Sequence, residues 1–74
     1  MSELVKNKIE YMLIIVQMFA DKYQISNRLA YQYLCNYKGT ELLEKQYNTF
    51  HTLSYDDVID DVAAFCHNNG GYLL

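Results

Sequence analysis

Apolar residues recur at helical spacing from the start of the chain. Val5, Ile9, Met12, Val16, Phe19 and Tyr23 follow one another at intervals of 4, 3, 4, 3 and 4, the seam of an amphipathic helix over about residues 4–23. A second stripe, Leu4, Tyr11, Ile14, Ile15 and Met18, projects roughly opposite the first. Only Lys6, Asn7, Glu10, Gln17 and Asp21 remain as a narrow solvated strip. Such a helix requires burial on two sides. It is either the central helix of a bundle, or it gives one stripe to the core and offers Tyr11, Ile15 and Met18 to another molecule.

The remaining pattern predicts three more helices. Ser26 is placed to cap the second, which runs to about Lys38 with Leu29, Tyr33, Leu34 and Tyr37 on one face and Gly39 as its terminating residue. Thr40 is placed to cap a short third helix over about residues 41–47, with Leu42, Leu43 and Tyr47 on its apolar side. The stretch Asn48 to Leu53 carries no helix start, and Thr49, Phe50, Thr52 and Leu53 favour extended geometry, so an irregular connector is expected there. Ser54 caps the last helix, about residues 55–68, with Asp56 and Asp57 at the positive end of its dipole. Tyr55, Val58, Ile59, Val62, Phe65 and Cys66 form its apolar arc, and Asp56, Asp57, Asp60 and Asp61 the opposite one. Asn68 to Gly71 stop the helix, and Tyr72, Leu73 and Leu74 follow as an apolar tail that docks on the core or frays. The expected fold is all-α, a single helical domain over residues 1–74 with three longer helices and one short one.

Size changes how this pattern is read. A chain of 74 residues, 51% hydrophobic and without proline, should fold, but with one core near the limit of independent stability. Reinforcement is expected from an interface, because Cys35 and Cys66 are too few for a disulfide framework. The amino terminus lacks the pattern of a secretory leader, which predicts a cytoplasmic protein. The longest apolar run, Tyr11 to Val16, is far short of the roughly 20 residues that cross a bilayer, so no membrane association is expected. All 6 Lys and Arg and 5 of the 9 acids lie in residues 1–45, whereas residues 46–74 carry 4 Asp and no Lys or Arg. A purely acidic final third and scattered basic residues argue against direct nucleic-acid binding.

Candidate chemistry is sparse. Cys35, Cys66, His51 and His67 are the soft metal ligands, but no pair has the spacing of a zinc site. Both cysteines read as small buried apolar residues, and Cys35 lacks the electropositive setting that activates a thiolate. Asp56, Asp57, Asp60 and Asp61 read as a solvated face or a docking surface for a basic partner. His51, flanked by Thr52 and close to Ser54, reads as a structural lock on the connector, bonded to backbone carbonyls or to the Ser54 cap, with a pH-sensing or catalytic role as the alternative. No cofactor, metal or catalytic set is expected, and the chain reads as a non-enzyme. The high count of 8 tyrosines raises the prospect of a binding surface.

Three segments together resemble a family of short bacterial proteins of unknown function. They are Ala30-Tyr31-Gln32-Tyr33-Leu34, Tyr47-Asn48-Thr49-Phe50-His51-Thr52-Leu53-Ser54, and Val58-Ile59-Asp60-Asp61-Val62 with a Gly70-Gly71 ending. Asn48 stands where that family usually has Asp, and Phe50 where it usually has Leu. Members of the family are often encoded near, or fused to, an ADP-ribosyltransferase-like protein. The resemblance thus implies the small, non-catalytic member of a toxin–antitoxin or effector–regulator pair, whose partner is the product of a neighbouring gene. A homo-oligomeric structural or regulatory protein is the alternative, since self-association would equally supply the missing burial.

Overall fold

Residues Glu3–Tyr23, uninterrupted by glycine or proline, form the longest helix, α1. The computed structural model describes residues 3–71. Helix α1 ends where Gln24 enters the left-handed region at φ 54°. There the amide of Ile25 donates to the Ala20 carbonyl at 3.0 Å and that of Gln24 to Asp21 at 3.4 Å, the paired bonds of a Schellman motif. Ile25, packed against the core, supplies the apolar contact that accompanies such an end.

Helix α2 (Asn27–Asn36) starts as expected, with the Ser26 hydroxyl accepting from the Leu29 amide at 3.1 Å. It stops two residues short of the expected end, and the role assigned to Gly39 is corrected. Lys38 takes the left-handed turn at φ 66°, and Gly39 is already the first residue of α3 (Gly39–Lys45). Glycine is needed at position 39 for contact: a Cβ there would lie 2.9 Å from both Cys66 Sγ and Leu34 Cδ2. Thr40, expected as the cap, is inside α3, and Lys38 stands at the N-cap without a side-chain bond.

The connector is less irregular than its residue types suggest. Tyr47–Phe50 form a single helical turn, α4, with the Phe50 amide donating to Gln46 at 2.8 Å. Phe50 is buried, and that tertiary anchor overrides the extended preference of Thr49 and Phe50. Helix α5 (Tyr55–Asn68) carries its expected cap, the Ser54 hydroxyl accepting from the Asp57 amide at 3.2 Å. It ends in a second Schellman motif with Gly70 at φ 92°, a conformation that favours glycine, and Gly71 donating to the Cys66 carbonyl at 2.9 Å. The Tyr33 hydroxyl donates to the Gly71 carbonyl at 2.8 Å and fastens the end of α5 to α2. The expected tail, Tyr72 to Leu74, lies outside the described residues.

All described elements are helical, so the chain is an all-α bundle with one helical turn more than the sequence pattern predicts. Helix α1 packs against α2, α3 and α5. The core is made of Tyr11, Ile15, Val16, Phe19 and Ala20 from α1, Ala30 and Leu34 from α2, Leu43 from α3, Phe50, and Val58, Ile59, Val62 and Cys66 from α5. Each fully buried large aliphatic residue among them contributes roughly 1.5–3 kcal/mol. The molecule measures 37 × 21 × 21 Å. At 1.5 Å rise per residue α1 is about 31 Å long, so it sets the long axis, and the much shorter α2 and α3 cover only part of it. That difference in length produces the main surface feature.

Candidate interaction surface

The carboxy-terminal half of α1 is enclosed, and its amino-terminal half is not. Val16, Phe19 and Ala20 are buried, whereas Val5, Ile9 and Leu13 are 44%, 46% and 56% exposed. These three residues stand at i, i+4 and i+8, a ridge along one side of the helix. Beside the ridge runs a groove of about 710 Å³, with Met12, Val16 and Leu43 toward the core and Asn27, Arg28 and Tyr31 from the start of α2 across from it. Tyr31 is half exposed. Lys8, Arg28 and Glu44 supply the charged groups of the lining.

This arrangement corrects the expected partner-binding stripe. Tyr11 and Ile15 are buried and belong to the core, and Met18 is half-buried against it. The bundle packs on the side of α1 that carries Ile15 and Phe19, so the first stripe is divided along its length. Its later members, Val16, Phe19 and Tyr23, go inward, and its early members, Val5 and Ile9, stay at the surface. Leu13 belongs to neither stripe and becomes the most exposed large apolar residue of the chain's described part. Its position four residues after Ile9 is the signal that marks it.

Tyr11 occupies a cost-bearing position at this boundary. Its ring meets Tyr47 edge-on at 5.5 Å and Tyr55 at 6.1 Å, and its buried hydroxyl has no hydrogen-bond partner. Burial, with the neighbouring Tyr55 and Tyr47 phenols, pushes its pKa above the ordinary value.

Tyr47 continues this aromatic cluster to His51, whose ring stacks on it at 4.8 Å with an interplanar angle of 15°. His51 Nδ1 donates to the Tyr47 carbonyl at 2.7 Å, which assigns the proton to that nitrogen. The Thr52 hydroxyl donates to the Thr49 carbonyl at 2.7 Å. His51 and Thr52 thus close the turn after α4 through backbone carbonyls. Ser54 takes no part in that lock, since its oxygen is engaged with Asp57.

On α5, Asp56, Asp57, Asp60 and Asp61 are all exposed. Asp60 pairs with Lys22 at the end of α1, and the hydrogen bond to its carboxylate pushes the lysine pKa up. The cysteines separate: Cys66 is buried as expected, whereas Cys35 is exposed, because α2 turns that side away from the bundle. Burial raises the pKa of the Cys66 thiol, partly offset by a hydrogen bond from the Gly39 backbone. Among the described residues no group of three or more His, Cys, Asp or Glu side chains is placed to hold a metal ion. No helix among them is long and apolar enough to cross a membrane.

No curated protein and no solved structure matches the chain. The model of one family of proteins of unknown function, DUF3791, matches residues 10–69, a span that takes in the last two thirds of α1, the His51 turn and all of α5. The chain therefore belongs to the DUF3791 family.

Proposed function

We propose that the protein is a non-catalytic interaction module that receives an amphipathic helix of a partner protein in the groove along the amino-terminal half of α1. The observation that carries this reading is the exposed ridge Val5, Ile9 and Leu13 beside a groove with half-exposed Tyr31 on its far side. Contiguous apolar surface of this kind is uncommon on a small soluble protein unless it is used. A groove flanked by an aliphatic row and an aromatic ring suits apolar anchors at i, i+3, i+4 and i+7 on an incoming helix. Lys8 and Arg28 against Glu44 leave the lining with one net positive charge, which favours an acidic residue beside those anchors.

The resemblance noted in the sequence suggests an ADP-ribosyltransferase-like partner encoded nearby in a bacterial genome, with this chain as the antitoxin-like or regulatory member in the cytoplasm. The exposed aspartates of α5 would then give a second, electrostatic contact to a basic partner surface. Co-expression with the neighbouring gene product tests this. The pair should co-purify, Leu13→Asp should abolish the complex, and reversal of Asp57 and Asp61 to Lys should weaken it without lowering the melting temperature. A Leu13→Asp variant that still co-purifies as well as wild type would contradict the groove as the site.

A further inference from the structure

We infer that in the protein alone the α1 ridge pairs with the ridge of a second copy of this chain, the two α1 helices running antiparallel with the two-fold axis at Ile9. This rests on reading the groove as a docking surface and names a second occupant for it.

The first support is symmetry. Val5 and Leu13 lie one turn to either side of Ile9, and an i±4n ridge of this kind packs beside an identical ridge in the commonest class of helix crossing. A two-fold axis makes such a patch self-complementary.

The second support is charge. Lys6 and Glu10, both exposed, fall on the same edge of the ridge. An antiparallel copy presents them in reverse order, so Lys6 of each chain reaches Glu10 of the other. On the other edge Lys8 shares a depression with Glu41, Glu44 and Lys45 of its own chain. Of the α5 aspartates, Asp60 pairs with Lys22 at the end of α1 remote from the ridge.

The third support is area. Val5, Ile9, Leu13 and Tyr31, each about half exposed, with Met12 and the stems of Lys6 and Arg28, make a patch of the small size that weak, transient interfaces have. A weak, exchangeable dimer is the expected result, one that a better-fitting partner helix displaces.

Sedimentation equilibrium of the full chain should give a dimer at micromolar to millimolar concentration. Leu13→Asp, a change at an exposed site, should be monomeric with an unchanged circular dichroism spectrum. Lys6→Glu should weaken the dimer about fivefold, and adding Glu10→Lys should restore it. In a Cys35→Ser background, mild oxidation should cross-link Ile9→Cys but not Asn7→Cys on the opposite face. A monomer throughout that range, or cross-linking at position 7 and not at 9, overturns the inference. A monomer that still co-purifies with the neighbouring gene product refutes the pairing and leaves the partner reading standing. A dimer that captures no such product refutes the partner and leaves the pairing.

Discussion

Tyr11 carries a buried hydroxyl without a partner, the kind of group that costs about 1–3 kcal/mol to leave unbonded. Tyr11→Phe keeps the ring contacts to Tyr47 and Tyr55, so it should raise stability by about 1 kcal/mol in a urea melt. Gly39→Ala should act the other way, losing about 1–3 kcal/mol, because the added methyl meets Cys66 and Leu34 between packed helices. The buried acids set the response to alkali. Cys66, Tyr11 and Tyr33 all have folded-state pKa values above their ordinary 9.0 and 10.0, so the folded chain holds more protons than the unfolded one at high pH. Their contribution is fully present below those ordinary values and is lost as the pH rises past them. The melting temperature should therefore fall above about pH 9, and Cys66→Ala should flatten the first part of that fall even though it lowers stability at neutral pH.

At the scale of elements, the caps and the apolar arcs were legible in the sequence, and the divided use of α1 was not. Ser26 and Ser54 bond the third amide beyond themselves, as their positions before apolar runs require. Ser54→Ala should accordingly cost about 1 kcal/mol, measurable as a lower denaturation midpoint. Gly39 misled because a glycine after a helical run serves either a left-handed turn or a close contact, and only the neighbouring helix decides between them. Cys35 misled because half-apolar α2 gives no sign of which half faces in. The same limit governs α1, where periodicity identifies apolar stripes but not how far along the helix its neighbours extend. Ile15 and Leu13 make the contrast testable, being two positions apart and equally apolar. Ile15→Asp puts a carboxylate in the core and should unfold the protein, whereas Leu13→Asp should leave its thermal stability near wild type.

Taken as a whole molecule, the bundle resolves the shortage of burial that its length implies by enclosing one end and exposing the other. The family segments span both regions: α5 packs in the core, the His51 turn lies at the boundary through Tyr47 and Tyr11, and Ala30 to Leu34 runs from the core out to Tyr31 beside the groove. The acidic surface and the apolar ridge lie on different helices, α5 and α1, so they make separable demands on a partner. A dilution series of amide nitrogen–proton NMR spectra of the full chain reads both surfaces at once. Resonances of Ile9, Leu13 and Tyr31 should move with concentration while those of Asp56 to Asp61 stay fixed. Movement confined to the aspartates, or none anywhere, would contradict the pairing of two α1 ridges.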